Sequence, residues 1–351
     1  MGIYYHFGQV LSIPVWADGC FLRLMMLQWF KPVSLIVRWM PVQIQKFLPE
    51  KDLQMLETYL RNRYLRNQNM TSWLPERLHD LIYRMGMQEA EGKRSMDHIF
   101  LWEEHGEIVA CILPDGENVY ISIKEGFEDL YPSVLAFSEE NCLPLFHKAD
   151  DGSVKFWVAA NDSLRYMGEH LQASGYTRYA EEDYDNYVYP LKTSVFVDLP
   201  EGFALLYGEE YDDEINKWSA CSLGFHPDRE TPDYRVDMEA YHSRKKSSMY
   251  ADSFECIVVD KNAQEKNDVC AYCFVYVDRG SATALIEPVS TREKYQRRGI
   301  GTAMMHGAIL RCREKGVEKC YVNSFGWRRK FYNAAGFSTE DSIGFWHKIL
   351  R

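Results

Sequence analysis

The sequence predicts a mixed α/β fold built twice, and three observations carry that reading. The chain has 351 residues, enough for two domains of ordinary size. Short apolar runs bounded by turn residues alternate with segments of helical period. One order of elements then occurs twice: strand, helices, a meander of strands, helix, strand, helix, strand. The first round fills residues 42–192 and the second 194–351, with a join near Lys192–Ser194. Each round closes a helix on a glycine–aromatic pair, Gly175-Tyr176 and Gly336-Phe337. The repetition is one of elements, not of residues.

In the first round, Gln43–Leu48 reads as a strand ended by Pro49. Glu50–Tyr64 follows as a helix with Leu53, Leu56 and Leu60 on one face. Ser72–Arg84 is a second helix. Strands are expected at His98–Glu103, Ile108–Leu113 and Asn118–Ile123, turned by His105-Gly106 and Pro114-Asp115-Gly116. Phe127–Glu139 is helical, Val154–Ala159 a strand, and Ser163–Ala173 a helix stopped at Ser174-Gly175. Tyr187–Leu191 is the last strand. The second round runs through a strand at Val195–Asp198, a helix at Asp212–Cys221 and a helical part near Arg235–Ser243. Strands Phe254–Val259, Val269–Val277 and Ala282–Val289 follow. Then come helix Thr302–Lys315, strand Glu318–Asn323, helix Arg328–Ala335 and strand Gly344–Ile349.

Composition excludes several functions. A net charge of −11 argues against a nucleic-acid binder, which needs a basic face for phosphates. Nine cysteines, odd in number and scattered, do not form a disulfide framework and point to a reducing cytoplasm. Cys270-Ala271-Tyr272-Cys273 has no second pair at zinc spacing and reads as buried thiols, so no metal is expected. Residues 1–41 hold apolar stretches broken by Asp18, Arg23, Lys31 and Arg38. They are too interrupted for a membrane span or a signal peptide, and they stand as an appendage without assigned function.

The chemistry concentrates in Gln296-Arg297-Arg298-Gly299-Ile300-Gly301-Thr302-Ala303. Two glycines admit positive φ and let a ligand approach the backbone. The helix that follows has Met305, Ala308, Ile309 and Cys312 on its inner face. Its first N–H groups lack intrahelical partners, and with the positive dipole end they suit a phosphate. Arg297 and Arg298 add charge. A P-loop is excluded, because Gly92-Lys93-Arg94 lacks the Ser or Thr after Lys. A Rossmann turn is excluded too. Met304 stands at its third glycine position, and the loop follows a meander.

The run Gln296–Gly301 resembles the Gln/Arg-x-x-Gly-x-Gly/Ala loop of the GCN5-related N-acetyltransferases, the GNAT family. Ala284–Thr291 looks like that family's fourth strand, and Phe331-Tyr332-Asn333-Ala334-Ala335-Gly336-Phe337 like its closing helix. All three occur in order over residues 284–337. The resemblance implies two tandem GNAT-like domains, each a twisted, mostly antiparallel mixed sheet flanked by helices. It implies a working acetyl-CoA site in 194–351. In 42–192 the loop position holds only Lys124-Glu125-Gly126, which implies a degenerate copy.

Family placement gives the residues their expected roles. Gln296, Arg297, Arg298, Gly299, Ile300, Gly301, Thr302 and Ala303 would hold the pyrophosphate. Val289, Ser290, Thr291 and Asn323 would meet the pantetheine arm, with a strand bulge near Val289 freeing an N–H for the thioester carbonyl. Glu287 is the candidate base, with a raised pKa facing the cleft; the same residue could instead pair with an Arg. Tyr332 is the candidate acid for the thiolate, or a core tyrosine. Asn323 could instead cap the loop before Phe325. His306 reads as a packing residue, and Arg244-Lys245-Lys246 as a solvated face. His226, Tyr234, Tyr241 and Tyr250 could border the acceptor.

The expected activity is direct acetyl transfer to a primary amine of a small molecule or peptide. The protein would be a cytoplasmic monomer or homodimer with no nucleic-acid or membrane partner. Two alternatives are a CoA-binding regulatory protein without turnover and a transferase with a larger acyl or aminoacyl donor.

Overall fold

The structure, a computed structural model, describes residues 42–71, 73–84, 95–192, 194–225, 234–263 and 268–351. The 1–41 appendage and His226 lie outside the described residues. In the first half, β1 (Gln43–Lys46) leads into α1 (Pro49–Asn67) and α2 (Pro75–Arg84). The meander β2 (Phe100–Glu104), β3 (Glu107–Asp115) and β4 (Asn118–Ile123) follows. It is completed by α3 (Tyr131–Asn141), β5 (Val154–Asn161), α4 (Arg165–Ala173) and β6 (Thr177–Pro190). The second half has β7 (Phe203–Tyr207), α5 (Glu214–Phe225), α6 (Tyr234–Arg244), β8 (Cys256–Asp260), β9 (Val269–Asp278) and β10 (Thr283–Thr291). It closes with α7 (Ile300–Glu314), β11 (Lys319–Phe325), α8 (Arg329–Ala334) and β12 (Ser338–Leu350).

The twelve strands of the described residues join one sheet in the order β1-β2-β3-β4-β5-β12-β6-β11-β10-β9-β8-β7. Neighbours run antiparallel except β4 with β5 and β10 with β11. The expected mixed, mostly antiparallel sheet with flanking helices is present. Its centre is interleaved. β6, last strand of the first half, pairs with β11 of the second from Phe325↔Tyr184 to Lys319↔Pro190. β12, last strand of the second half, pairs with β5 of the first from Ile343↔Asn161 to Leu350↔Val154. Each half therefore lends its final strand to the other.

Separate apolar layers cover the two faces of each half. Leu56 and Leu60 of α1 are fully buried against β2 and β3. Tyr131, Val134 and Leu135 of α3 pack on the opposite face. In the second half, Met305, Ala308, Ile309 and Cys312 of α7 are fully buried, as their spacing predicts. α5 and α6 cover the other face through Trp218 and Tyr241.

Three strand expectations differ from the structure. Residues 195–198 form no strand; the edge strand is Phe203–Tyr207, started after a turn at Gly202 (φ +88°) and paired to β8. β6 begins ten residues before the expected Tyr187 (187 − 177 = 10), and β12 six before the expected Gly344 (344 − 338 = 6). Both early stretches are rich in acidic and small polar residues, which hide period-two patterning. They pair through their backbones all the same, and Asp185 of β6 is fully buried against Arg329, whose nitrogens approach it at 2.8–3.0 Å.

α1 and α2 lock the halves together. The carboxyl of Glu76 is fully buried and accepts from Thr283 Oγ1 of β10 at 2.7 Å. Arg61 forks onto Asp278 at 2.7 and 2.9 Å. Burial pushes Glu76 up to about 7 from its ordinary 4.5. The folded state then holds a proton that the unfolded chain releases. Stability from this group is complete below pH 4.5 and declines as pH rises towards 7, by on the order of 3 kcal/mol. Urea unfolding at pH 5 and pH 8 should show this decline, and Glu76→Gln should flatten it; an equal slope in the variant would remove Glu76 as its source.

Candidate active site

The site grows from an irregularity in β10. Its register with β9 jumps from Ile286↔Val275 to Val289↔Cys273, so Glu287 and Pro288 stand opposite the single residue Phe274. This is the bulge expected near Val289. β10 pairs with β11 only over 283–285. Beyond that point no ladder holds the two strands together, and the end of β10 turns into the loop before α7.

That loop is shaped by two left-handed residues, Arg297 (φ +57°) and Gly299 (φ +80°). Gln296 Nε2 donates to the Thr291 carbonyl at 2.9 Å and ties the loop to the strand end. Gly299 caps α7 with no side-chain hydrogen bond. The first helical bond runs from Ala303 N–H to Gly299 O at 2.9 Å, so the N–H groups before it face outward. A Cβ on Gly301 would come within 2.9 Å of Thr291 Oγ1 and 3.2 Å of Phe331 Cε2. These bare donors and the room kept by glycine suit a diphosphate.

A cleft of about 420 Å³ opens over the loop. It gathers Val289, Ser290, Thr291, Gln296, Arg297, Gly299, Gly301, Thr302 and Tyr332. Gly224, Phe225, Trp327, Arg328 and Phe331, which the sequence reading did not single out, complete the lining. Ser290 Oγ is already spent on the Ala220 and Cys221 carbonyls at 3.2 and 3.1 Å, which pins the end of α5 beside the cleft. Ile300 and Ala303 are buried and contribute backbone alone. Arg298 lies outside the lining, over the Phe203 ring at 5.0 Å. Asn323 also lies outside it, donating to Asn186 Oδ1 at 2.5 Å.

Tyr332 is buried and stacked on Tyr187 at 4.7 Å. Burial raises its phenol above the ordinary value and keeps its proton in place. Glu287 is half-buried and bound to the Arg77 guanidinium, which reaches across from α2. Arg77 also binds Asp115, and Arg84 binds Asp115 at 2.7 Å and Asp80 at 3.1 Å. Arg244 approaches Asp80 at 3.7 Å. Three guanidiniums thus meet three carboxylates. Burial raises Glu287 above the usual range, and Arg77 offsets this only in part. For Asp115 burial also acts upward, but Arg84 and Arg77 outweigh it and hold it low. The two acids are pushed apart, which leaves Glu287 as the better proton acceptor.

Other candidates settle into packing. His306 bridges the Phe196 and Ala335 carbonyls at 2.9 and 3.2 Å. Tyr241 is buried and donates to Glu255 at 3.2 Å. Tyr250 is half-buried and donates to Asp252. Cys270 and Cys273 are fully buried in β9. The expected solvated face at Arg244-Lys245-Lys246 is corrected at its first member. Arg244 is buried 4.9 Å over the Trp218 ring, because α6 packs against α2 and turns it inward.

The first half lacks this arrangement. Gly126 N–H is taken by the Glu128 carboxylate at 3.0 Å, and Arg63 donates to the Ile123 carbonyl at the end of β4. The segment satisfies itself where the second half leaves donors bare.

Residues 213–337 match the family model described as Acetyltransferase (GNAT) family. The whole fold is similar to a GCN5-related N-acetyltransferase from Sphaerobacter thermophilus, at 15% identity and TM-score 0.59, covering 88% of this chain and 96% of that one. It is similar to a tandem GNAT protein from the clavulanic acid biosynthesis pathway, at 12% identity and TM-score 0.57, covering 88% and 98%. A GNAT-family acetyltransferase from Colwellia psychrerythraea aligns at 11% identity and TM-score 0.51, covering 87% and 99%. At these identities the likeness is one of fold. A search of curated protein sequences finds no match. The second half carries a GNAT acetyltransferase domain, and no described helix is long and apolar enough to cross a membrane.

Proposed function

We propose that this chain, an enzyme with a GNAT acetyltransferase domain, transfers acetyl from acetyl-CoA to a primary amine, with one working site in residues 194–351 and a silent copy in 42–192. The observation that carries the reading is the meeting, in one cleft, of the α7 N-terminus, the end of β10 just past its bulge (Val289–Thr291) and Tyr332. The bare N–H groups beside Gly299 and Gly301, with Arg297, would hold the diphosphate. Val289 and Thr291 would border the pantetheine arm. The donor, when bound, supplies an acyl group activated as a thioester. Glu287 takes a proton from the amine, directly or through water, and Tyr332 gives its proton to the departing thiolate. The acceptor is a small molecule or peptide. The eight free cysteines described favour a reducing compartment such as the cytoplasm.

Thiol release measured with an amine panel tests this. Wild-type protein should release CoA thiol only when an amine is present. Glu287→Gln should lower kcat by about 10²–10⁴ and remove the acid limb of the pH–rate profile, while CoA affinity holds. That limb should lie above the ordinary carboxylate range, since Glu287 is raised. CoA binding without amine-dependent release would favour a binding protein over an enzyme.

A further inference from the structure

A second cavity, of about 490 Å³, lies on the other side of the β11 end from the cleft. The two adjoin through one wall. Phe325 lines the cavity, and its ring stacks at 6.2 Å on Trp327, which lines the cleft. Tyr184 lines the cavity and donates to the Asn323 carbonyl of β11 at 3.2 Å. At one end stands Arg77, with Glu287 and Asp115 on its guanidinium.

The cavity is built from both halves. β4 gives Tyr120, β5 Trp157, β6 Tyr179 and Tyr184, β11 Phe325 and β12 Phe345. Six rings in so small a space favour a flat guest. Its charges are sorted. Asp115 is matched by Arg77 and Arg84, and exposed Glu117 accepts from His147 N–H at 3.3 Å. Lys155 rests over the Trp157 ring at 4.3 Å and the Tyr179 ring at 5.8 Å. Among the described residues, Lys155 forms no ion pair. A cation held against rings with no carboxylate is a waiting partner for an anion. At the opposite end the charges are already matched on Arg77, so the amine enters there uncharged, with Glu287 behind the guanidinium as its proton acceptor.

Resting on the transferase reading, we infer that this cavity is the acceptor pocket and that the acceptor is an arylalkyl primary amine, its nitrogen on a carbon attached to an aromatic ring that bears an acidic group at its far end. The ring lies among Trp157, Tyr120 and Phe345, the acid meets Lys155, and the amine points to the Arg77–Glu287 end. The amine nitrogen bonds to the acyl carbon as the carbon–sulfur bond breaks. The nitrogen's proton leaves to Glu287, and the sulfur takes the proton of Tyr332.

The probes are 4-(aminomethyl)benzoate, benzylamine and spermidine, used with the full chain and acetyl-CoA. Thiol release should show kcat/KM at least tenfold higher for 4-(aminomethyl)benzoate than for benzylamine, and lowest for spermidine. Lys155→Gln should collapse the first preference, and Trp157→Ala should lower kcat/KM for both arylmethyl amines at least tenfold, with CoA affinity held in both variants. Spermidine as the best acceptor, or arylmethyl amines indifferent to both variants, would overturn the inference while leaving the transferase reading intact. Calorimetric titration with 4-(aminomethyl)benzoate in the presence of CoA keeps the test independent of turnover. Saturable binding lost in Trp157→Ala supports the pocket, and no binding overturns it. Absence of CoA binding altogether would instead sink the underlying reading.

Discussion

Gly301→Val should fold like the parent chain and bind coenzyme A at least ~100-fold more weakly. Gly301 begins α7 with no positive-φ demand, so the backbone accepts a side chain there. The space does not. A Cβ meets Thr291 Oγ1 at 2.9 Å and Phe331 Cε2 at 3.2 Å, both of which line the cleft. These side chains can give way only by moving over the donors they border. A charge-assisted hydrogen bond is worth about 1.5–3 kcal/mol, so losing access to two N–H groups gives hundredfold or more. Gly301→Ala should fall between. Calorimetry with CoA reads affinity, and circular dichroism checks the fold. Parent-like affinity in the valine variant would mean that the diphosphate is held elsewhere.

Arg77→Met should destabilise the protein by about 3–5 kcal/mol, the cost of removing one partner from a buried ionic cluster. Arg77 is 6% exposed and faces Glu287, Asp115 and Asp80 together. The methionine keeps most of the stem's volume against Trp73, so the loss reports charge rather than packing. Adding Glu287→Gln to the same chain should recover part of the loss, because one stranded carboxylate is gone. Urea midpoints of the single and double variants give the coupling. A single variant within 1 kcal/mol of the parent would show that water reaches these carboxylates freely.

The cofactor side of the site was legible because it lies in one continuous stretch of chain. Gln296–Thr302 supplies its own turn, its own donors and its own helix start, and glycine at 299 and 301 is a local demand. Periodicity likewise gave the buried face of α7 and the order of most strands. Arg77 was not legible. It sits in α2 between Glu76 and Leu78; the helix is amphipathic and puts Arg77 on its polar face, but Pro75 to Leu81 are all buried whatever their polarity, so a face that reads as solvated is covered. Its partners Glu287 and Asp115 lie 210 and 38 residues away. The early parts of β6 and β12 were hidden for a related reason. Their polar residues break the alternation, and two of them, Asp185 and Asn186, are buried, Asp185 against Arg329 of the other half. Arg298 and Asn323 show the converse limit. A motif names positions, while the side-chain direction at each depends on neighbours such as Phe203 and Asn186.

The traded final strands bear on why residues 42–192 would be kept if, as proposed, they hold no working site. Deleting residues 42–192 would take β6 away and leave β11 with a raw flank of unpaired peptide groups, an invitation to clumping. With the strands traded in this way, neither half can be shed without baring the flank of the other.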